Sequence, residues 1–185
     1  MNTFRMSLNH YRTNLLLLGL NLHLPVSNKA TNKKIEKNDQ SISGEIVLSG
    51  KETTNLGTSL KIGNLAIGRS NHRVKGKTII LTDSHTKINE NGPIPNDLQN
   101  NFIIIGLDIE GPTRHNTSRS LTMNITVDGI EYKHTCTPPD FSTYKNYSSD
   151  FEIDFDKKEI VFTETNITNT VTDAVLTMNG TITWK

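Results

Sequence analysis

The chain has 185 residues, with 20 basic and 19 acidic side chains and a single cysteine. A net charge of +1 lacks the basic excess that binding to nucleic acid requires, so we expect no nucleic-acid partner. The composition of 24 Thr, 19 Ile and 7 Val, against 3 Ala, favours pleated sheet over helix.

The N-terminal stretch has the features of a secretory signal. Arg5 and Arg12 precede an apolar run over residues 15–24, and no acidic residue occurs before Glu36. The run is shorter than the roughly 20 apolar residues that span a bilayer. We therefore predict a signal peptide over residues 1–30, a flexible linker over 31–41, no transmembrane segment, and a secreted, periplasmic or cell-surface location. The alternatives are an amphipathic first helix and a misassigned start, with Met6 as a second possible initiator.

From Ile42 onward, short apolar segments alternate with Gly, Pro, Asn and Asp, as is typical of all-β folds. The first predicted strands cover residues 44–49, 59–67, 77–82 and 102–109. We predict a single domain over residues 42–185, an antiparallel β-sandwich of immunoglobulin-like or jelly-roll-like type. A closed β-barrel is the alternative.

The clearest local unit is a hairpin centred on Asp128-Gly129. Asp-Gly between alternating runs favours a two-residue type I′ turn, which needs positive φ at both positions. The strands 121–127 and 130–136 then pair so that His134 faces Met123 and Cys136 faces Leu121, all on the apolar face.

Two further hairpins are predicted in the C-terminal part of the chain. A turn at Lys157-Lys158 would place Phe155 opposite Ile160, and Ile153 opposite Phe162. A turn at Asn179-Gly180 would join segments 171–178 and 181–185. The second segment carries the only tryptophan, Trp184, which we expect in the core or at its edge.

The residue types of a metal site occur in the central hairpin. His134, Cys136 and Met123 share one predicted face, and together these ligands suit copper. However, no histidine follows Cys136, whereas blue-copper proteins draw Cys, His and Met from one late loop, and the face belongs to the apolar core. We therefore expect buried structural residues at these positions, and no metal or other cofactor.

Neither of two acidic motifs indicates a catalytic residue. Carboxylates recur at every second position from Asp150 to Asp156, which a straight strand spreads apart along a solvated face. The run Asp83-Ser84-His85 contains the residue types of a catalytic triad, but a working triad is built from spatial neighbours.

Three long loops are the expected places for binding, because loops on a rigid sheet scaffold commonly carry function. They cover residues 83–101, 111–120 and 137–149. The predicted ligand-binding residues are Phe141, Tyr144 and Tyr147 in the third loop, with Arg114 and His115 in the second.

Together these features predict an exported, non-catalytic binding or surface-interaction module. It would recognise a carbohydrate or a protein partner through its loops. The alternatives are a calyx-type carrier of a small apolar ligand and a carbohydrate-active enzyme, which would need convergent carboxylates.

Overall fold

The computed structural model describes residues 41–71, 75–110, 117–136 and 151–185. This part of the chain is nearly all antiparallel β-structure, so the all-β prediction is confirmed. The elements are β1 (Ile42–Gly50), α1 (Thr53–Leu56), β2 (Ser59–Lys61), β3 (Asn64–Asn71), β4 (Lys75–Thr82), β5 (Thr86–Asn89), β6 (Gly92–Pro95), β7 (Asn101–Glu110), β8 (Thr117–Val127), β9 (Ile130–Cys136), β10 (Phe151–Asp154), β11 (Glu159–Asn169) and β12 (Val175–Trp184).

Ten of these strands form one curled sheet with the shape of a half-barrel. Along the sheet the order is β2-β1-β12-β11-β9-β8-β7-β4-β3, and β10 pairs with β11 beside this path. β5 and β6 form a separate two-stranded hairpin inside the stretch 83–101, which the sequence predicts as a long loop; only the segments around this hairpin are loop. Within the described ranges, no helix is both long and apolar enough to cross a membrane.

The core follows from alternation along the strands, because successive side chains of a strand point to opposite faces. Ile46, Ile104, Leu121, Ile160 and Met178 are among its fully buried members. Trp184 packs edge-to-face on Phe155, with 6.4 Å between the ring centroids, and only 5% of it is exposed. Its predicted place in the core is confirmed.

The central hairpin forms as the sequence predicts. Val127 pairs with Ile130, Met123 with His134, and Leu121 with Cys136. The turn residues Asp128 and Gly129 have φ of 51° and 78°, as a type I′ turn requires.

The predicted register of the β10–β11 hairpin is wrong by two residues. Ile153 pairs with Ile160 rather than with Phe162, and the connection covers residues 155–158. The reason is Asp154, whose Oδ1 accepts hydrogen bonds from the backbone N–H groups of Asp156 and Lys157 and so builds a longer turn. A shift of two residues keeps every side chain on its predicted face.

The predicted turn at Asn179-Gly180 is also wrong, because both residues lie inside β12. The chain turns instead at residues 170–174, where Asp173 has φ of 58°. Gly180 is needed where two strands approach closely, since a methyl group there would overlap the carbonyl oxygen of Glu45. Asn179 Oδ1 accepts a hydrogen bond from Glu164 N, at a bulge in β11.

The other early strands match β1, β4 and β7, but the predicted strand 59–67 divides into β2 and β3 at Ile62-Gly63. The backbone N–H of Ile62 donates to Gly44 O in β1, and that of Gly63 donates to Thr82 O in β4. This short stretch therefore lies between the two flanks of the half-barrel.

Candidate functional site

Four polar side chains meet at one place, and we call them the Glu52 cluster: Glu52, His134 and Asn169, which are buried, and Thr172, which is exposed. Glu52 directly precedes α1, and its Oε2 lies 2.6 Å from His134 Nε2 in β9. Its Oε1 accepts hydrogen bonds from Asn169 Nδ2 at 2.8 Å and from Thr172 Oγ1 at 3.2 Å. The buried carboxylate therefore has a partner on each oxygen.

Strand pairing brings this cluster together. His134 and Asn169 are cross-strand neighbours in one of only two residue pairs that join β9 to β11 in the described chain. Asn169 Oδ1 also accepts hydrogen bonds from the backbone N–H groups of Val171 and Thr172, which shapes the turn before β12. The cluster thus ties α1, β9 and the β11–β12 turn to one another.

The burial of Glu52 and His134 indicates that the Glu52 cluster stabilises the fold and takes no part in catalysis. The His134 side chain is 0% exposed and that of Glu52 is 11% exposed. A general acid or base must reach the proton that it transfers, and this imidazole is closed off from solvent. Among the described residues, His134 Nδ1 has no hydrogen-bond partner.

The predicted core positions of Met123, His134 and Cys136 are confirmed, since all three side chains are buried. Within the described ranges, no group of three or more His, Cys, Asp and Glu side chains is arranged to hold a metal ion. Glu52, the partner of His134, was not predicted from the sequence. The available signal was the histidine itself, because a polar ring on an apolar face needs a hydrogen-bond partner.

Asp83 does not act as a triad member but as the anchor of the loop 83–101. Its Oδ1 accepts hydrogen bonds from the backbone N–H groups of His85 and Thr86. Its Oδ2 accepts from Thr86 Oγ1 and from Phe102 N. The carboxylate thus accepts four hydrogen bonds from the protein and connects both ends of the loop. The His85 side chain is exposed.

A groove opens beside this anchor, with a volume of about 500 Å³. This volume is within the range of small-ligand sites. The buried side chains of Leu60, Ile62, Phe102 and Ile125 contribute to its apolar floor. Its polar rim includes the exposed residues Ser59, Lys61, Ser84, His85 and Asn100.

The wall of the groove depends on close backbone packing at Gly63. A methyl group there would overlap the backbone of Ser84, so a larger residue would push the Asp83 turn away. Asn64 Nδ2 also holds this turn, since it donates hydrogen bonds to Asp83 O and Thr86 O.

The opposite end of the loop is fixed as well. Asp97 Oδ1 accepts hydrogen bonds from the backbone N–H groups of Gln99 and Asn100, which hold the pKa of this carboxyl below its usual range. Asn100 Oδ1 accepts from Asp128 N, and Gln99 O accepts from Gly129 N. The rim is thereby tied to the β8–β9 turn.

The predicted ligand-binding residues Arg114, His115, Phe141, Tyr144 and Tyr147 lie outside the described residues. The chain leaves β9 at Cys136 and enters β10 at Phe151, and both of these flanking residues are buried. Of the predicted acidic series, Glu152 is exposed, Asp154 builds the β10–β11 turn, and Asp150 lies outside the described part.

Comparisons of the chain with protein-family models, with curated proteins and with solved structures find no match.

Proposed function

We propose that this protein is a non-catalytic binding module that receives a carbohydrate in the groove beside Asp83. One observation carries the proposal. The loop 83–101, which the sequence predicts as a place for binding, contributes Asp83, Ser84, His85 and Asn100 to the lining of a groove of ligand size.

The chemistry of the rim supports a hydroxyl-rich ligand. Ser84 offers a hydroxyl, Asn100 an amide, and Lys61 an ammonium group, all at exposed positions. A sugar presents hydroxyl groups at its edge and C–H groups on its faces. The apolar floor under a polar rim matches both parts of such a ligand.

The roles of the acidic groups support binding without catalysis. Glycoside hydrolysis needs two carboxyl groups that flank the scissile bond. Asp83, which lines the groove, already accepts four hydrogen bonds from the protein. Glu52, the carboxylate paired with His134, is buried and accepts hydrogen bonds from other side chains of the protein.

We also propose the finer architecture and the location that the sequence predicts. The two residue pairs between β9 and β11 divide the sheet into halves, β2-β1-β12-β11-β10 and β9-β8-β7-β4-β3, which supports a β-sandwich. The stretch at Ile62-Gly63, which bonds to both flanks, supports the closed barrel as the alternative. Export is testable by the intact mass of protein recovered outside the cytoplasm.

The binding experiment is a glycan array followed by calorimetric titration of the best-bound oligosaccharide. The double variant Ser84→Ala/His85→Ala removes two exposed rim side chains and keeps the backbone hydrogen bonds of the Asp83 turn. We expect it to bind at least about tenfold more weakly, the loss of one good hydrogen bond or more. Thr181→Ala, at an exposed position of β12, is the matched control.

Two results would contradict the proposal. The first is that no glycan binds, in which case a protein partner becomes the leading candidate. The second is that the double variant binds as tightly as Thr181→Ala. Release of new reducing ends from the bound oligosaccharide would favour the carbohydrate-active enzyme.

A further inference from the structure

One edge of the sheet is long and unpaired within the described chain. β3 pairs with β4 over its full length, from Asn64 to Asn71, and no described strand pairs with its other edge. Before β3 begins, Ile62 N donates a hydrogen bond to Gly44 O in β1, and no described residue pair joins β1 to β3. The backbone groups of an open edge can form a ladder with another strand.

Three other described edges carry features that prevent such pairing. β10 has four residues, includes the exposed Glu152, and its Ile153 carbonyl accepts a hydrogen bond from Lys77 Nζ. β2 has three residues and ends at Lys61. In the small hairpin, β6 contains Pro93 and Pro95. Charge, proline and short length are the usual protections of edge strands.

β3 lacks these protections in its first five residues, Asn-Leu-Ala-Ile-Gly. Residues 64–68 contain no charge and no proline. Leu65 and Ile67 pack against the core but stay partly exposed, so the core is incompletely covered at this edge. Ala66 belongs to the opposite face, where it forms an uncharged row with Ile80 and Ile105.

We propose that the open edge of β3 pairs with the same edge of a second copy of this chain. An antiparallel pair about a twofold axis requires a strand that matches itself. With Ala66 on the axis, Leu65 faces the second copy's Ile67, and Ile67 faces the second copy's Leu65. Both contacts are apolar and no like charges meet between residues 64 and 68, so the pairing extends the sheet and covers the exposed core residues.

This interface goes beyond the proposed binding function, since none of residues 64–68 lines the groove beside Asp83. The first measurement is the molar mass of the full chain by light scattering across a concentration series. We expect a dimer that dissociates on dilution. The variant Ala66→Lys should be monomeric at every concentration, because two ammonium groups would meet on the axis. It should still fold, since Ala66 is partly exposed in the single copy.

The register has its own test. Ala66→Cys should form a disulfide between two copies on oxidation, because directly opposed residues of an antiparallel pair lie within disulfide distance. The matched controls lie at Thr181, an exposed position of β12. Thr181→Lys should leave the molar mass of the dimer unchanged, and Thr181→Cys should form no disulfide between copies.

Three outcomes would overturn the proposal. One is a monomer at all concentrations whose β3 amides exchange rapidly, which means an empty edge. Another is a monomer whose β3 amides are protected, which means that another part of the same chain covers the edge. The last is a dimer that Ala66→Lys leaves intact, which places the interface elsewhere.

Discussion

His134 Nε2 lies 2.6 Å from Oε2 of Glu52, although 82 positions separate the two residues in the chain. One residue comes from the central hairpin and the other from the short connection between β1 and β2. Their contact therefore joins the β1–β2 connection to β9, although these strands are not neighbours in the sheet, and its removal has a predictable cost.

Glu52→Ala should lower the free energy of unfolding by about 2–5 kcal/mol, because it removes the acceptor of the buried side chains of His134 and Asn169, and each buried group left unsatisfied costs about 1–3 kcal/mol. Glu52→Gln, which keeps one acceptor oxygen, should cost less. Denaturant titration measures both.

The control is Lys133→Ala, which breaks the half-exposed pair with Glu131 and should cost under about 1 kcal/mol. If Glu52→Ala lowers the free energy of unfolding no more than this control does, the Glu52 cluster does not have the stabilising role assigned to it.

Cys136 should resist a thiol reagent in the native protein and react fully after denaturation, because its side chain is only 6% exposed. Absorbance of the released chromophore gives both rates. Labelling of the native protein at the rate of the unfolded one would contradict the pairing of Cys136 with Leu121.

Gly180→Ala should destabilise the protein by about 1–3 kcal/mol, since the added methyl group overlaps Glu45 O in the neighbouring strand. Gly68→Ala is the matched change, because a methyl group there meets no atom within 4 Å. Thermal unfolding of the two variants should separate clearly, and equal melting temperatures would argue against the close approach of β1 and β12.

Asp154 should contribute to the loss of stability in acid. A backbone hydrogen bond from Lys157, supported by another from Asp156, lowers the pKa of its carboxyl group. A group with a lowered folded pKa stabilises the protein above its unfolded pKa, and this contribution disappears as the pH falls through the folded pKa.

Asp154→Asn should therefore lose less stability than the parent protein between neutral and acidic pH, as unfolding curves at several pH values would measure. Its amide oxygen can still accept the turn hydrogen bonds. Asp156→Asn removes a charge from the same turn and is the control. Identical acid profiles for the parent and Asp154→Asn would contradict this role.

Local signals predicted local structure well. Asp128-Gly129 set the register of a whole hairpin, because its turn type leaves one way to pair the flanking strands. The same kind of reasoning failed at Asn179-Gly180, where glycine serves a close contact with β1, a strand far away in sequence. The dipeptide Asn-Gly is compatible both with a tight turn and with close packing between strands, so it does not distinguish the two.

The candidate site shows the same division. The sequence indicated the loop 83–101 by its length and polarity, but the four hydrogen bonds of Asp83 depend on how both loop ends enter the sheet. The sequence around Glu52 does not predict its contacts, since its partners lie in β9 and the β11–β12 turn. Long-range contacts of this kind require the folded chain.

The position of β12 has a consequence for the order in which the sheet can assemble. β12 lies between β1 and β11, and it is the last strand of the described chain. The pair of Ile42 with Trp184 closes a loop that contains all the other strands, so it is entropically the most demanding contact of the sheet. We therefore expect β1 to pair with β12 only after the local hairpins have formed.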